Sequence, residues 1–314
     1  MRYISADELN VRLEFPPLVE ALRELFRRGV DEARAIHLHQ PLADGRQNDW
    51  LLLPAWQFDR HMGIKLVGVF PGNDAKGLAS IQGLYVLFDG GNGLPLAAID
   101  GAAITLWKTA ANSALAATYL ARAEARTLLM VGAGALAPYL ARAHCAVRPV
   151  AHVMVWNRTA ANAARMAAAL ARPGLTVEAV DDLPAVVQRA DVVSCATMAT
   201  EPVIQGAWLR PGIHLDLVGG YRPDMREADD EAIRRSRVFI DAWFTAGDHC
   251  GDISQPLAAG ILRKEAVTDT FQLARGERPG RRSEDEITLF KSGGGGHEDL
   301  GTAQHILERL GARQ

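Results

Sequence analysis

The spacing of apolar residues changes along this chain, and each spacing predicts a different kind of structure. Residues 16–29, PPLVEALRELFRRG, place apolar side chains at helical intervals, which predicts a helix that stops at Gly29. Between residues 50 and 100, short runs such as MGIKLVGVF and IQGLYVLFD are separated by Gly, Pro and Asn turns. That pattern predicts a mostly antiparallel or mixed sheet, and the alanine-rich residues 101–123 predict a long helix after it.

From residue 127 onwards the pattern alternates between strand and helix. The apolar runs TLLMV, HVMVW and TVEAV are each followed by a stretch with helical spacing, and DVVSC and HLDLV continue the series. Strands that alternate with helices predict a parallel, doubly wound sheet of the α/β class.

Composition narrows the function classes. The chain has 314 residues, 48% of them hydrophobic and 23% charged, which is enough for two domains with separate cores. A formal charge of -3 gives no reason to expect nucleic acid or an anionic membrane as a partner. The three cysteines show no metal-ligand spacing, and charges interrupt the first residues where a signal peptide would be apolar. We therefore expect a cytoplasmic protein without a membrane span.

A glycine-rich turn follows the first strand of the alternating half. In VGAGALA, Gly132, Gly134 and Ala137 fit the G-x-G-x-x-A pattern between a strand and a helix. The first glycine permits the tight turn, the second lets backbone approach a pyrophosphate, and the small third residue lets helix and strand pack closely. The turn therefore predicts a Rossmann-type dinucleotide site that includes Ala133, Ala135 and Leu136.

The end of the next strand predicts which dinucleotide is preferred. An acidic residue there would bind the ribose hydroxyl of NAD, whereas this chain has Asn157, Arg158 and Thr159. Arg158 can pair with a 2′-phosphate. We expect NADPH to be preferred, with NADH possible.

Two lysines stand in apolar surroundings in the first half of the chain. Lys65 lies in the strand pattern GIKLVGV, and Lys108 lies in the helix pattern TLWKTAANSA. Each is either a residue whose stem is buried at the surface or a ligand for an anion.

Four blocks in order resemble the ornithine cyclodeaminase/mu-crystallin family. They are MGIKLVGVF through WKTAANSALAA, VGAGALA with VWNRT, VGGYRPDMREAD, and LFKSGGGGHEDL. The resemblance implies a Rossmann domain over 116–297 and a smaller α+β substrate-binding and dimerisation domain over 1–115, joined by the C-terminal helix 298–314. It also implies a homodimer whose interface the antiparallel sheets form.

The resemblance assigns roles to several residues. Lys65 matches the active-site lysine near the substrate carboxylate and the reacting nitrogen. Lys108 falls where many members carry a carboxylate-binding arginine. A lysine keeps the positive charge but cannot form the two parallel hydrogen bonds that a guanidinium makes to a carboxylate. A further family arginine falls at His37, with Arg34 and Arg46 as nearby substitutes.

The resemblance also assigns residues in the second half. It implies cofactor contacts at Thr197, Met198 and Val218, and a substrate contact at Lys291. The glycines at 293–296 are either part of the substrate and cofactor site or a hinge. We expect residues 297–299 to cap the last helix. His37 and His39 have no third ligand at suitable spacing, so we expect no metal.

Tyr221 separates the activities within the family. Cyclodeaminases carry an aspartate at this position, which deprotonates the distal amine of the substrate, and a phenol cannot replace it at neutral pH. We therefore expect a ketimine reductase that converts Δ1-pyrroline-2-carboxylate or Δ1-piperideine-2-carboxylate to L-proline or L-pipecolate. In that reading Tyr221 contacts the substrate and forms a wall of the pocket. Ornithine cyclodeamination, an alanine or opine-type dehydrogenase, and an NADPH-dependent ligand-binding protein like mu-crystallin remain alternatives.

Overall fold

The computed structural model describes residues 1–32, 35–58, 60–247 and 249–311. The chain divides into two compact units, and the names unit 1 and unit 2 are used below. Unit 1 comprises Met1–Lys108 and Gly295–Gln314, and unit 2 comprises Thr109–Gly294. Within the described ranges, every helix is too short or too polar to span a lipid bilayer.

Unit 1 is built around a mixed sheet of seven strands. Its helices and strands are β1 (Arg2–Ile4), α1 (Ala6–Arg12), α2 (Phe15–Arg28), β2 (Asp31–Glu32), β3 (Ile36–Pro41), β4 (Gln47–Gln57), β5 (His61–Val69), β6 (Ile81–Asp89), β7 (Pro95–Asp100), the first part of α3 (Gly101–Leu120) and the last helix of the chain, Gly296–Arg309. The strand order is β1-β7-β6-β5-β4-β2, with β3 also paired to β4. Only the β1–β7 pair is parallel among the described strands of this sheet.

The predicted helix over 16–29 is confirmed and ends as expected. α2 stops at Gly29, whose φ of 88° is accessible to glycine at little cost. Its apolar side, including Leu18, Leu22 and Phe26, is buried. Trp107 of α3 belongs to the same core, because its ring lies 4.6 Å from that of Phe15.

Unit 2 contains an eight-stranded sheet in which every pair is parallel. Its elements are β8 (Thr127–Val131), α4 (Ala137–Val147), β9 (His152–Trp156), α5 (Ala160–Leu170), β10 (Thr176–Val180), α6 (Leu183–Val187), β11 (Val192–Cys195), β12 (His214–Leu217), α7 (Asp230–Arg235), β13 (Arg237–Ile240), α8 (Gly251–Ala258), β14 (Thr268–Asp269), α9 (Thr270–Ala274) and β15 (Thr288–Lys291). The last helix of the chain is α10. The strand order is β10-β9-β8-β11-β12-β15-β13-β14, which confirms the predicted doubly wound α/β fold.

Ligands of open α/β sheets bind beyond the carboxyl ends of the strands. We therefore expect a ligand site beyond the ends of β8, β9, β11 and β12. The strands themselves are largely buried and mostly apolar, as strands covered on both faces are, and β12 also carries the buried polar residues His214 and Asp216. The sheet therefore acts as a rigid support for the loops that follow Val131, Trp156, Cys195 and Leu217.

Candidate active site

The loop after β8 has the geometry of a phosphate-binding turn. Gly132 adopts φ of 108°, and a Cβ on it would lie 2.5 Å from the carbonyl oxygen of Ala196. A Cβ on Gly134 would meet no atom within 4 Å, so the backbone there faces open space. A glycine at 132 is therefore required by conformation and packing, and the open backbone at 134 permits close approach of a ligand.

The loop after β9 is tied to that turn. Asn157 accepts a hydrogen bond from the backbone N–H of Ala133 at 3.2 Å and donates to the carbonyl oxygen of Thr159 at 3.0 Å. The side chains of Arg158 and Thr159 are exposed. Asn157 thus orients the loop, and Arg158 is the nearby cation that remains accessible to a ligand.

A cavity of about 340 Å³ lies between these loops and the end of β11. Eight of the predicted cofactor residues line it: Gly132, Ala133, Gly134, Asn157, Arg158, Thr159, Thr197 and Met198. Sequence reasoning missed five more lining residues, which are Trp156, Asn162, Ala196, Ala199 and Val203.

Three predicted cofactor residues lie outside that lining. Ala135 and Leu136 form the turn before α4, where Leu136 is the N-cap. Val218 follows β12, is 8% exposed, and donates its N–H to the carbonyl oxygen of Cys195 at 2.9 Å. These three residues shape the backbone around the cavity, because they occupy the turn and the strand end that border it.

Unit 1 contains a separate group of buried charges, which we name the lysine–acid cluster: Lys65, Lys108, Glu298 and Asp299. The Nζ of Lys65 on β5 lies 2.8 Å from Oδ2 of Asp299 on α10. The Nζ of Lys108 on α3 lies 2.7 Å from Oε2 of Glu298. All four side chains are at most 6% exposed. The structure therefore brings together the two lysines that the sequence singled out, and it adds two acids.

The acids were predicted to cap the last helix, and that prediction is wrong. The N-cap of α10 is Gly295, which has no side-chain cap, and the carboxylates of Glu298 and Asp299 are used in the ion pairs. Gly296 permits this, since a Cβ there would lie 2.9 Å from the carbonyl oxygen of Leu53 on β4. The first turn of α10 can therefore lie against the sheet and place both acids beside the lysines.

The pKa of Lys65 is lowered, chiefly because burial disfavours the charged ammonium. Asp299 opposes that shift, and Lys108 adds to it. Thr105 accepts a hydrogen bond from the Lys65 ammonium at 3.4 Å, so one neutral acceptor also faces it.

Two residues proposed as a second carboxylate ligand, His37 and Arg46, lie at the surface. His37 on β3 is exposed and pairs with Leu51, which in turn pairs with Val67. Since Val67 and Lys65 are two residues apart on β5, His37 shares the sheet face of Lys65 and lies about 12 Å away, two strand spacings across the sheet and two residues along it. Arg46 is paired with Asp44 at 2.7 Å, and Arg34 lies outside the described residues.

Lys291 does not present a free ammonium for a substrate. Its side chain is fully buried in unit 2, and its Nζ lies 3.0 Å from Oδ2 of Asp252. Lys291 is the last residue of β15 and pairs with Leu217 of β12. It is buried because β15 lies between β12 and β13 in the interior of the sheet. The predicted substrate contact is therefore replaced by an internal ion pair.

Tyr221 and the glycine run complete the predicted residues. Tyr221 is 54% exposed, and its ring centroid lies 5.9 Å from the guanidinium carbon of Arg222. The N–H groups of Gly293 and Gly294 donate to Oδ2 of Asp241 at 2.9 and 2.6 Å. The start of the glycine run is therefore held by a carboxylate.

The sequence is similar to known proteins over almost its whole length. The family model described as "Ornithine cyclodeaminase/mu-crystallin family" matches residues 6–314. A Δ1-pyrroline-2-carboxylate reductase of Paracoccus denitrificans is 41% identical over 307 residues, which is 97% of this chain and 96% of the relative. A protein of the same name from Colwellia psychrerythraea is 34% identical, with 99% of both chains covered.

Solved structures are similar over the whole chain. The Δ1-pyrroline-2-carboxylate reductase of Thermococcus litoralis, in complex with NADH and L-proline, superposes with a TM-score of 0.90 at 28% identity, covering 99% of this chain and 97% of that one. The iminosuccinate reductase of Paracoccus denitrificans, in complex with NAD+, gives a TM-score of 0.85 at 27% identity, covering 100% and 98%.

Proposed function

Because this chain belongs to the ornithine cyclodeaminase/mu-crystallin family, we propose that it reduces cyclic imino acids with a nicotinamide cofactor. The substrates are Δ1-pyrroline-2-carboxylate or Δ1-piperideine-2-carboxylate, and the products are L-proline or L-pipecolate. The observation that carries the proposal is the lysine–acid cluster, in which two ammonium groups and two carboxylates are buried together.

The charges of the cluster suit a zwitterion. A cyclic imino acid with a protonated ring nitrogen carries one carboxylate and one iminium group. In the proposed reaction, Lys65 and Lys108 hold the substrate carboxylate, and an acid of α10 accepts a hydrogen bond from the iminium N–H. An imine that arrives unprotonated takes its proton from Lys65, whose lowered pKa favours transfer.

The cavity of unit 2 fits a dinucleotide in its chemistry. The turn at Gly132 and Gly134 would hold the pyrophosphate, and Arg158 with Thr159 would hold a 2′-phosphate. When bound, the nicotinamide supplies the hydride that reduces the imine carbon. We propose a preference for NADPH, although the two solved neighbours hold NADH and NAD+.

Tyr221 supports reduction over cyclodeamination. A cyclodeaminase must deprotonate a second amine, and the phenol at this position is not a base at neutral pH. We propose that Tyr221 borders the substrate ring without transferring a proton.

An exposed apolar face on the sheet of unit 1 supports a homodimer. Ile36, Leu38, Trp50 and Met62 are 38–52% exposed, and their register places all four on the face opposite Lys65. Contiguous apolar residues of this kind mark an interface between proteins. A solution mass equal to one chain would contradict this part of the proposal.

Incubating the purified protein with each cyclic imine and either NADPH or NADH tests the function. We expect loss of reduced cofactor and formation of the cyclic amino acid. Ornithine with NAD tests cyclodeamination, and pyruvate with an amine tests an alanine or opine-type dehydrogenase. Turnover of either of these, with no reduction of the cyclic imines, would overturn the proposal. L-proline should compete with the imine more strongly than cyclopentanecarboxylate, which has the same shape and carboxylate but no nitrogen.

A further inference from the structure

Glu227, behind the dinucleotide cavity, is completely buried and accepts three hydrogen bonds. Its Oε1 accepts from the backbone N–H of Thr197 at 2.7 Å and from the hydroxyl of the same residue at 2.8 Å. Its Oε2 accepts from the N–H of Gly219 at 2.7 Å. One carboxylate therefore connects the loop after β11 to the loop after β12.

The backbone of Glu227 is itself fixed. Its N–H donates to Oδ1 of Asp252 at 2.8 Å, and its carbonyl oxygen accepts from Val203 and Ile204 at 2.9 Å each. Val203 and Thr197 both line the cavity. The side chain and the backbone of Glu227 thus hold two separate parts of the cavity wall.

The two loops approach each other too closely for ordinary side chains. A Cβ on Gly219 would lie 1.8 Å from the carbonyl oxygen of Thr197 and 2.6 Å from Oε1 of Glu227. The glycine lets the loops meet, and the carboxylate supplies acceptors for the N–H groups that this approach buries.

We propose that Glu227 is a positioning residue, whose ionised carboxylate holds Thr197 and the adjoining cavity wall in the conformation that binds the nicotinamide dinucleotide. The inference rests on the proposed function only in taking the cavity as the cofactor site. Glu227 acts through Thr197 and Gly219 and does not touch the reacting atoms.

The hydrogen bonds require the ionised form. Two of the three partners are N–H groups that can only donate, and the third, the Thr197 hydroxyl, donates in this structure. A proton on Oε2 would face the N–H of Gly219, and a proton on Oε1 would require the Thr197 hydroxyl to turn round and accept, so protonation disrupts the arrangement. Burial raises the pKa of Glu227 to about 7, Lys291 opposes the shift, and Asp252 adds to it. Cys195 and Cys250 are the other titratable groups nearby, and burial raises the pKa of both thiols, so they are neutral at this pH.

Binding of NADH, followed by its fluorescence at pH 6 to 9, tests the proposal. NADH is preferred as the probe because the 2′-phosphate of NADPH titrates near pH 6 itself. We expect the affinity of the wild type to fall as the pH is lowered through about 7. Glu227→Gln places an amide N–H against a donor, and it should weaken binding about tenfold at pH 8 and remove the pH dependence, since the variant loses a hydrogen bond to a charged group.

Thr197→Val is the second variant, because it removes one donor and leaves the carboxylate. Loss of that donor disfavours the ionised form, so the midpoint of the pH dependence should move to higher pH. Glu231→Gln, an exposed carboxylate on α7, is the matched control and should bind as the wild type does. A role confined to stability would not move the midpoint.

Two results would overturn the inference. One is wild-type affinity of Glu227→Gln at pH 8, and the other is an unchanged midpoint in Thr197→Val, which decides the question if the first variant does not fold. Failure of the proposed function is distinguishable, since these binding results can hold in a protein that reduces no cyclic imine.

Discussion

The ion pair between Lys65 and Asp299 gives a quantitative prediction. The two groups lie 2.8 Å apart with side chains 6% and 0% exposed. We consider Lys65→Met, Asp299→Asn and the double variant, which form a double-mutant cycle. Methionine keeps most of the length of lysine, and asparagine keeps the shape of aspartate, so the cycle changes charge more than volume.

The size of the effect follows from the geometry. At 2.8 Å and an effective dielectric constant of about 20, the attraction is about 6 kcal/mol, and desolvation of both ions offsets much of it. Removal of one partner leaves the other buried and uncompensated, so each single variant should lower the free energy of unfolding by about 3–5 kcal/mol. The double variant should be more stable than the sum of the single effects predicts, with a coupling energy of about 2–3 kcal/mol.

Urea unfolding, monitored by circular dichroism and tryptophan fluorescence, measures these free energies. The exposed pair Arg23–Glu20 on α2, at 3.0 Å, is the matched control, and its coupling energy should be below about 1 kcal/mol. Additive effects at Lys65 and Asp299, within about 0.5 kcal/mol, would show that the two side chains do not form this ion pair in solution.

Three further predictions concern other residues. Arg158→Ser should raise the KM for NADPH about tenfold and leave that for NADH within about twofold, because only the 2′-phosphate loses a partner; equal changes for both cofactors would contradict this. Tyr221→Phe should keep most of the imine reduction, and loss of turnover with intact cofactor binding would instead make Tyr221 the proton donor. Burial lowers the pKa of His214 from 6.5 to about 3. Below pH 6.5 the unfolded chain therefore binds a proton at this residue and the folded chain does not, so the free energy of unfolding should fall as the pH is lowered from 6.5. In His214→Leu the urea midpoint should decline less over that range, and an equal decline would refute the assignment.

The periodic parts of the fold could be predicted from the sequence. The strands β5 and β6, the helix α2 and the turn at Gly132 are specified by residues close together in the chain, so local spacing identifies them. The sequence predicted neither β13, with four residues, nor β14, with two, although β11 and β12 are no longer than β13 and were identified from the apolar runs that continue the alternating series. Their place in the sheet depends on pairing with β15 and with each other, which are contacts distant in sequence.

The candidate site was predicted in part for the same reason. Apolar neighbours made Lys65 and Lys108 conspicuous, because a lysine in such a setting needs a partner. The partners were not identifiable, since Glu298 is 190 residues away from Lys108 and an acid at the start of a helix is also the usual cap. Lys291 shows the converse, because the resemblance implied a substrate contact there while the tertiary fold pairs its ammonium with Asp252.

The acids of α10 limit what the lysine–acid cluster can bind. With two ammonium groups and two carboxylates the cluster is neutral, and it is almost completely buried. A simple anion such as pyruvate would add a net negative charge to that environment, which burial disfavours unless a carboxylate is protonated or moves away. A protonated cyclic imino acid adds no net charge and offers a partner to both signs. If the substrate binds at the cluster, as proposed, the cluster favours a cyclic imino acid over a keto acid, and we propose that Asp299 contributes to that selectivity as Lys65 does.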